Sequence, residues 1–477
     1  MGMQQQEISG TVSALDSNVQ TSKTGLLIVA TVATFMGPFM VSGVNIVLPA
    51  MEAEFSIGAV LLSWIANTYL LSSAVLLMPM AKIADMVGRK KIFVAGLWLF
   101  SLATLLITVA PSIWILLGFR VLQGAGAAMV STTGIAIVAS VFPVSERGRA
   151  IGIVVAAVYI GLSIGPFAAG YLSVMWGWRS IFLVAFPFGL ISAVLAMVNI
   201  KDEWADARGQ ALDITGILFY ALALICFMLG LSTMPGRLPG VSLATGIMIF
   251  ILFVRQEMRT RYPVVEINLF RHNRRFSFSS LAALINYAAT FAIAFYMSLY
   301  LQYIKGIPPQ NAGLILVTQP VMMALFSPLA GRLSDRFEAS YIASTGMALC
   351  AAGLFCLAFL HQATPVAIIV AILVVVGIGF ALFSSPNMNA IMGSVTQRHY
   401  GLASGTVATM RLVGQMSSMA IATMFFAIFI GNVGITPANQ DRLLISTHAG
   451  FATFCALCTI GIFFSLSRGK TRAAEKI

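Results

Sequence analysis

Charged residues are scarce in this chain of 477 residues: Asp, Glu, Lys and Arg make up 9% of it, whereas hydrophobic residues make up 59%. An average soluble domain carries about 25% charged residues, so this composition excludes both a soluble globular protein and a disordered chain. Cysteine is rare as well, and all five residues lie inside apolar runs, which excludes a disulfide scaffold. The mean hydropathy of +0.93 instead indicates a membrane protein.

The chain also has few side chains that could act as acids, bases or metal ligands, since it contains 16 acidic residues and four histidines. None of them lies midway through an apolar run, and neither a metal-ligand cluster nor a nucleophile with its base is visible at membrane depth. We therefore expect no enzyme, no cofactor and no metal. Residues 469–471, Gly-Lys-Thr, resemble the end of a phosphate-binding loop, but Phe464 stands at its first glycine, so an ATP-driven pump is unsupported.

Positive charge dominates, with a formal net charge of +12. The basic residues form short clusters between long apolar segments, which is typical of loops on the cytoplasmic side of a membrane and not of a nucleic-acid binding surface. The first 24 residues are polar, and the apolar run that starts at Gly25 has no cleavage-type ending. We expect this run to remain as the first membrane helix, and no nucleic acid as a partner.

Fourteen apolar segments are long enough to cross a bilayer, whose hydrocarbon core of about 30 Å requires about 20 residues of helix. The predicted spans are residues 26–50, 58–81, 92–111, 112–142, 150–173, 179–199, 213–233, 241–258, 277–303, 311–331, 340–361, 364–392, 403–430 and 444–467. Of the 28 lysines and arginines, 22 fall on the side of the N-terminus, four on the other side and two, Arg120 and Arg411, within spans. By the positive-inside rule, both termini are cytoplasmic.

Two stretches of the chain recur at a nearly constant offset. Residues 81–85 precede the similar residues 331–335 by 250, and residues 148–152 precede residues 401–405 by 253. This self-similarity indicates two homologous six-helix halves, an arrangement typical of transporters whose halves rock about a central site. The predicted units are a cytoplasmic N-terminal tail over 1–24, a first bundle over 25–200, a linker with two extra helices over 201–262, a second bundle over 263–467 and a basic cytoplasmic tail over 468–477.

The loop between the second and third spans reads AKIADMVGRK at residues 81–90. A hairpin this short needs Gly88 for its turn, and Asp85 can accept hydrogen bonds from Arg89 or from a neighbouring helix N-terminus. The loop resembles the pattern G-x-L-a-D-r-x-G-r-k of the major facilitator superfamily. The resemblance implies a conformational latch that contacts the other half, although a basic loop that only sets the orientation is an alternative. The predicted latch residues are Asp85, Gly88, Arg89, Asp335 and Arg336.

Two arginines lie within predicted spans. In the fourth span, Arg120 begins the stretch RVLQGAGAA, which resembles the family pattern R-x-x-q-G-x-g-a-a and by that resemblance is linked to proton transfer. An arginine about two helical turns from the start of a span must face protein or water, unless its side chain snorkels to the interface. Arg411 lies midway along the thirteenth span, where its repeat partner is Val158, and is a functional candidate for the same physical reason.

The fifth span carries glycines four residues apart followed by a proline. Its residues 161–170, GLSIGPFAAG, resemble the motif G-x-x-x-G-P-x-x-G-G of the fourteen-helix drug:proton antiporter branch of the superfamily. Glycines at this spacing let two helix backbones approach closely, and a proline bends the helix, so a close, bendable seam is expected; the spacing alone is common in membrane bundles. The predicted seam residues are Gly161, Gly165, Pro166 and Gly170.

The first span departs from the pattern of this branch. The pattern D-x-T-V-x-N-V-A-L-P aligns with residues 40–49, which places Met40 where an aspartate is expected. A proton carrier needs a desolvated carboxylate or histidine, and neither occurs midway through a span. Proton coupling is therefore implied by the resemblance alone, and its carrier is unassigned.

Sparse polar and aromatic residues on the apolar spans suggest a cavity, although ordinary packing between helices is an alternative for each of them. Together with 25 methionines, whose side chains adapt to varied shapes, they favour a lipophilic substrate over a sugar. The predicted cavity residues are Asn45, Trp64, Asn67, Tyr69, Gln123, Tyr159, Asn286, Tyr287, Gln319, Asn387, Asn389 and Gln415.

These features together predict an all-α membrane protein with the major facilitator fold, 14 transmembrane helices arranged 6+2+6 and both termini in the cytoplasm. The resemblance implies a secondary active exporter of lipophilic drugs or toxic compounds across the cytoplasmic membrane, driven by proton antiport with alternating access. Two alternatives stay open: an exporter of an anionic metabolite or lipid-like amphiphile with Arg411 as anion anchor, and a membrane receptor that does not transport. An adaptor protein is left open as a further partner.

Overall fold

The computed structural model describes residues 21–265, 267–395 and 400–469, and within those ranges its secondary structure is helical, with no strand. Fourteen helical segments are long and apolar enough to cross a membrane, which confirms the predicted number of spans. In chain order they are α1 (Lys23–Phe55), α2 (Ala59–Val87), α3 (Arg89–Thr108), α4 (Ile113–Val141), α5 (Val144–Trp176), α6 (Ser180–Asn199), α7 (Ile214–Ser232), α8 (Arg237–Glu257), α9 (Arg274–Ile304), α10 (Pro309–Arg336), α11 (Ala339–Leu357), α12 (Val366–Met392), α13 (Tyr400–Phe429) and α14 (Gln440–Ser467). The predicted terminal tails lie outside the described residues, except for residues 21–24 and 468–469.

The helices extend beyond the predicted apolar spans because polar residues form their ends. Thus α1 covers residues 23–55 where the prediction was 26–50, and the Ser22 hydroxyl caps it by accepting from the Gly25 N–H (3.2 Å). Between α2 and α3 the chain turns at the single residue Gly88, whose φ of 134° is unfavourable for a residue with a Cβ. The tight turn predicted for this loop is present.

Successive helices run in opposite directions, so their ends gather at two faces. Where α1 starts, Lys23 pairs with Glu146 at the start of α5 (3.1 Å). We call this side the basic face, because it carries the lysines and arginines of residues 82–91 and 255–275, and we call the other side the opposite face. The cytoplasmic location of the basic face remains a prediction.

The helix α1 packs on α5 in the same manner as α9 packs on α13. A Cβ on Gly161 of α5 would lie 2.6 Å from the carbonyl oxygen of Phe35 on α1, and a Cβ on Gly414 of α13 would lie 2.6 Å from that of Leu284 on α9. The two glycines are partners in the sequence repeat, and each permits a close backbone approach. We refer to α1–α6 as the first half and to α9–α14 as the second half; the predicted boundaries of the units stay predictions.

The helices α7 and α8 form a hairpin on the side of the bundle. The Tyr220 hydroxyl of α7 donates to the Ala74 carbonyl of α2 (3.0 Å), and its ring packs against Phe253 of α8 with centroids 5.5 Å apart. Along α8, which the structure describes in full, the buried residues are Gly246, Phe253 and Glu257. Most of the apolar surface of α8 therefore faces outward, as expected of a helix in contact with lipid.

The helix α9 is interrupted near its middle and ends in a π turn. Its regular part ends at Thr290, resumes over Ile293–Leu299 and passes into the π turn Tyr300–Ile304. At the break, the Ala292 N–H donates to the Ser418 hydroxyl of α13 (3.0 Å), which satisfies a backbone group that the break releases. π turns and broken membrane helices are frequent at functional sites.

A buried arginine holds the end of α14. Arg468 Nη1 donates to Asn387 Oδ1 of α12 (2.7 Å), and Nη2 donates to the Ala339 carbonyl at the start of α11 (2.8 Å). Burial lowers the pKa of Arg468 to about 10, so the guanidinium remains charged at neutral pH. The sequence predicts that Arg468 belongs to a basic tail, whereas in the structure it joins three helices of the second half.

Arg468→Ala is expected to destabilise the protein, because it removes the charged donor from acceptors that stay buried. Each acceptor left unpaired costs about 1–3 kcal/mol, so the thermal unfolding midpoint of the detergent-solubilised protein should fall by several degrees. Arg442→Ala, at the exposed start of the same helix, is the matched control and should leave the midpoint unchanged. Equal midpoints for both variants would show that the buried contacts of Arg468 do not stabilise the fold.

Candidate functional site

Five predicted site residues from five different helices come together between the two halves. They are Tyr69 of α2, Arg120 of α4, Tyr159 of α5, Tyr287 of α9 and Arg411 of α13, and we call them the central cluster. Arg411 lies close enough to interact electrostatically with both Tyr69 and Tyr287. Tyr159 interacts with Tyr287 in the same way. Both halves therefore contribute to one location, as expected of a site about which two halves move.

Arg120 lies on the first-half side of the central cluster and is buried, with 1% of its surface exposed. Its guanidinium carbon lies 4.8 Å from the centre of the Tyr69 ring, a cation–π contact. Nε donates to the Ile65 carbonyl (2.9 Å) and Nη1 to Gln123 Oε1 (2.6 Å), and Gln123 in turn donates to the Thr104 hydroxyl (2.8 Å). Among the described residues Arg120 forms no salt bridge, so hydrogen bonds and a ring hold this charge in place.

Arg411 is the accessible charge of the central cluster, since its side chain is only half-buried. Next to it, Tyr287 packs edge-on against Phe380 of α12 with ring centroids 5.4 Å apart. On the side of the first half, the Tyr159 hydroxyl accepts a hydrogen bond from Ser327 of α10 (3.3 Å). A half-buried guanidinium near tyrosine side chains can donate charge-assisted hydrogen bonds to an oxygen-bearing ligand.

Two predicted cavity residues lie where the halves touch. Asn67 is fully buried, and its amide donates to the Thr423 hydroxyl of α13 (2.8 Å), which donates to Ser63 of α2 (2.8 Å). The carbonyl of Asn45 accepts from the Ser298 hydroxyl of α9 (2.6 Å). Both asparagines thus belong to the contact between the first and second halves.

The remaining predicted cavity residues are spread over the bundle. Asn286 is fully buried beside Cys350 of α11, inside the second half. At the basic face, Asn387 is held by Arg468, and the exposed Asn389 donates to the Ser334 hydroxyl (2.9 Å). The half-buried members are Trp64, Gln319 and Gln415. A cavity role for each of these residues stays a prediction.

The glycines of the predicted seam lie against α1. A Cβ on Gly165 would lie 2.7 Å from the Phe39 carbonyl oxygen, and one on Gly43 would lie 3.1 Å from the Gly165 carbonyl oxygen. Gly161 makes the same kind of approach one turn earlier. Backbones this close leave room between α1 and α5 only for small side chains, such as that of Ser42.

The other end of the seam lies against α10, in the second half. A Cβ on Gly170 would lie 2.5 Å from the Pro309 carbonyl oxygen, and one on Gly313 would lie 2.3 Å from the Pro166 carbonyl oxygen. The helix α5 is therefore packed tightly on both halves at once. Any movement of one half against the other must change the contact between α5 and α10.

The predicted latch loop binds the segment that follows α6. Arg89 pairs through Nε with Asp85 Oδ1 (2.7 Å) and through Nη2 with Asp206 Oδ2 (2.8 Å). The Arg89 N–H donates to the Trp204 carbonyl, and the Ala207 N–H donates to the Asp85 carbonyl, both at 2.8 Å. The loop is thus fastened to the beginning of the predicted linker between the halves.

Glu203 completes this contact. Its Oε1 accepts from the Lys90 N–H in the first turn of α3 (2.8 Å), where a helix terminus favours negative charge. A Cβ on Gly88 would lie 2.4 Å from Glu203 Cδ, so the glycine makes room for the carboxylate. In the second half, Arg336 is exposed at the end of α10, and the side chain of Asp335 lies outside the described residues.

The halves are joined at the opposite face. A Cβ on Gly58 of α2 would lie 2.5 Å from the Asn432 carbonyl oxygen after α13, and Gln302 of α9 donates to the Ile46 carbonyl of α1 (3.0 Å). Toward the basic face, the repeat partners are Gly152 of α5 and Gly405 of α13. A Cβ added to either glycine would have no described neighbour within 4 Å. The rest of the described chain therefore leaves space beside these two glycines, whereas the halves are in contact at the opposite face.

Several residues that make these contacts do not stand out in the sequence. Glu203 and Asp206 lie 113 and 117 residues from their partners in the chain. Glu52 is one of the 16 acidic residues for which the sequence predicts no role, yet it bonds to residues 251 and 383 positions away. Only the three-dimensional structure brings such partners together.

Comparison with known sequences agrees with the family resemblance of the motifs. A sequence model of the Major Facilitator Superfamily matches residues 30–274 and 279–476. The riboflavin transporter RibZ of Clostridioides difficile is 27% identical over 446 residues, which cover 92% of this chain and 96% of that protein. The multidrug resistance protein Stp of Mycobacterium tuberculosis is 30% identical over 410 residues, covering 84% and 76%. The tetracenomycin C resistance and export protein of Streptomyces glaucescens is 27% identical over 395 residues, covering 82% and 73%.

Solved structures share the fold. The crystal structure of a bacterial homolog of the human lysosomal transporter Spinster, in an inward-facing and unoccupied conformation, has a TM-score of 0.68 at 16% identity, covering 94% of this chain and 96% of that chain. A POT family transporter in complex with a thioalcohol-conjugated peptide has a TM-score of 0.69 at 15% identity, covering 92% and 94%. The predicted class of fold is thereby confirmed.

Proposed function

The chain belongs to the major facilitator superfamily, and we propose that it exports lipophilic drugs or toxic compounds by proton antiport. Proteins of this family are transporters rather than enzymes, and fourteen apolar helices make the chain a multi-pass protein of the cell membrane. The central cluster carries the proposal, because both halves place tyrosine rings and arginines at one location. Two relatives named for drug resistance and one named for riboflavin transport support a small organic substrate.

The direction of transport follows from the two faces. We take the basic face as cytoplasmic, in keeping with the positive-inside rule. Since the halves are joined at the opposite face, the central cluster would be reached from the cytoplasm, which is where an exporter takes up its substrate. Export follows when the contact between the halves moves from the opposite face to the basic face.

Efflux of a lipophilic dye tests this function. Cells that express the chain and are loaded with ethidium should lose the dye faster than cells without it, and a protonophore should abolish the difference. Purified protein should also release protons when ethidium binds. Efflux that persists with the protonophore would contradict proton antiport, and no efflux of any compound would favour a receptor that does not transport.

A second candidate, export of an anionic compound, is favoured by the accessible Arg411 in a cluster that holds two arginines. Arg411→Gln keeps a polar side chain and removes the charge. If Arg411 anchors an anion, this variant should lose efflux of an anionic dye such as carboxyfluorescein by about tenfold and retain efflux of ethidium. Equal loss of both dyes would argue against an anion anchor.

Asp85→Asn is expected to slow export several-fold while the protein is still expressed and folded. The change removes the charge that Arg89 binds in the latch loop, and a partly exposed ion pair contributes only about 0–1 kcal/mol to stability. Dye efflux normalised to the amount of membrane protein measures the effect. Asp441→Asn, at the exposed start of α14, is the control, and unchanged efflux in Asp85→Asn would remove the latch assignment.

A further inference from the structure

The end of α8 carries arginines on the side of the helix that faces outward. Met248, Ile251 and Leu252 are exposed apolar residues of α8, and Arg255 lies seven, four and three residues after them. Residues at these spacings share one face of a helix. Arg255 is itself exposed, as is Arg259 in the turn that follows the helix. The apolar row in contact with lipid therefore ends in positive charge.

The length of α8 places these arginines at the level of the lipid headgroups. The helix runs from Arg237 to Glu257, over 21 residues. At a rise of 1.5 Å per residue it is about 31 Å long, which is close to the thickness of the hydrocarbon core. Its two ends therefore reach the two boundaries between hydrocarbon and headgroups, and Arg255 lies at the boundary on the basic face.

Two carboxylates hold the connection that follows α8. Glu257 Oε2 accepts a hydrogen bond from the Val265 N–H (2.8 Å), and Asp213 Oδ2 at the start of α7 accepts one from the Thr260 hydroxyl (2.8 Å). Glu257 is 3% exposed, so its carboxylate is turned away from the surface. Neither carboxylate forms a salt bridge with a described residue. The connection thus has a fixed shape, and its acidic groups do not neutralise the arginines.

Residues 255–275 hold an excess of positive charge. They contain six arginines and two glutamates. One glutamate is the buried Glu257, and the other, Glu266, lies outside the described residues. Exposed charges of one sign on so short a stretch repel one another, and an anion in contact with them lowers that repulsion. The arginines that are exposed and in no salt bridge with a described residue are Arg255, Arg259, Arg261, Arg271 and Arg274.

A tyrosine and a lysine border the same surface. The Arg261 guanidinium carbon lies 5.5 Å from the centre of the Tyr262 ring, and the Lys82 ammonium of α2 lies 5.8 Å from it. The ring is half-buried, and tyrosine is enriched where hydrocarbon meets the headgroups. The first half thus adds a further positive charge to the surface at the end of α8.

We propose that this surface binds the headgroup of an anionic phospholipid in the leaflet at the basic face. We call Arg255, Arg259, Arg261 and Lys82 the headgroup site. The phosphodiester offers acceptor oxygens to the guanidinium groups, and the acyl chains lie along the apolar row of α8. A basic cluster next to a membrane helix has the chemistry that recognises such lipids. The site is separate from the central cluster and does not require proton antiport.

Quenching of a fluorophore by brominated lipid tests the headgroup site. The full chain, with its five native cysteines replaced, carries bimane at Ile251→Cys. It is reconstituted in phosphatidylcholine with a small share of phosphatidylglycerol that is brominated on its acyl chains. Bimane at Val194→Cys, an exposed position of α6 near the basic face, is the reference. Phosphatidylglycerol should associate several-fold more strongly at Ile251→Cys, whereas brominated phosphatidylcholine should quench both positions alike.

Paired substitutions identify the groups that bind the lipid. Arg255→Gln with Arg259→Gln should weaken the association of phosphatidylglycerol at Ile251→Cys by about tenfold or more, because each basic residue near an anionic headgroup contributes about a factor of five. The same two positions changed to lysine keep their charge and should keep most of the preference.

The matched control is Lys91→Gln with Arg149→Gln, which removes the same charge from exposed positions elsewhere on the basic face. This control should retain the parent's preference for phosphatidylglycerol. Equal quenching by phosphatidylglycerol at the two bimane positions would overturn the headgroup site. An equal loss of preference in both glutamine pairs would overturn it as well, because it would leave only a basic face that attracts anionic lipid without a site.

Discussion

Gly165→Val is expected to abolish export, because α1 and α5 touch backbone to backbone at this glycine. A Cβ would lie 2.7 Å from the Phe39 carbonyl oxygen, and valine adds two further methyl groups to it. Overpacking costs about 1–3 kcal/mol and occasionally more, and here the neighbour is a main chain that cannot rotate away. The helices would have to separate along the seam that also contacts α10.

Gly152→Val is the matched control for this prediction. It makes the same change on the same helix, 13 residues earlier. Nothing in the described chain lies within 4 Å of a Cβ at that position, so the valine side chain points into open space. The helix propensity cost is therefore the same in both variants. Dye efflux per amount of membrane protein should fall to background in Gly165→Val and persist in Gly152→Val, and equal efflux would contradict the close seam.

Arg120→Met is expected to reduce export by about tenfold or more, which corresponds to a rise of about 1.4 kcal/mol or more in the activation free energy of transport. Methionine keeps much of the buried volume and removes the guanidinium. The Ile65 carbonyl and the Gln123 side chain then lose their charged donor, and the Tyr69 ring loses its cation. Both a weaker site and a displaced Tyr69 reduce transport.

The control for Arg120→Met is Arg237→Met, at the exposed start of α8. It removes one positive charge outside the central cluster and should leave dye efflux unchanged. Thermal unfolding of both proteins separates loss of transport from loss of fold. Normal efflux in a folded Arg120→Met protein would show that this buried charge has no part in export.

Much of the fold could be predicted from the sequence, because a membrane helix needs only a sufficient length of apolar residues. The fourteen spans follow from that rule, with ends that differ where polar caps extend a helix. The close approaches at Gly161 and Gly165 follow from glycine spacing. Burial of Arg120 follows from the cost of a charge in lipid.

The contacts between distant segments could not be predicted. Asn387 is polar and lies on a predicted span, which favours a place in the cavity, but its partner is Arg468, 81 residues further along the chain. A single sequence shows which side chains need a partner and not which partner they have. The same reason hides the contact of Asp206 with the latch loop and that of Glu52 with Tyr303.

A reversible cross-link between the halves tests whether they move apart during export. The hydroxyl oxygens of Ser63 on α2 and Thr423 on α13 lie 2.8 Å apart, so a Ser63→Cys, Thr423→Cys protein without its native cysteines should form a disulfide on oxidation. Ser344 and Ser465, whose hydroxyl oxygens are also 2.8 Å apart, provide the same cross-link within the second half. If the halves must separate at the opposite face during export, oxidation should stop dye efflux in the first pair, reduction should restore it, and the second pair should transport in both states. Undiminished efflux from the oxidised first pair would contradict transport by movement of the halves.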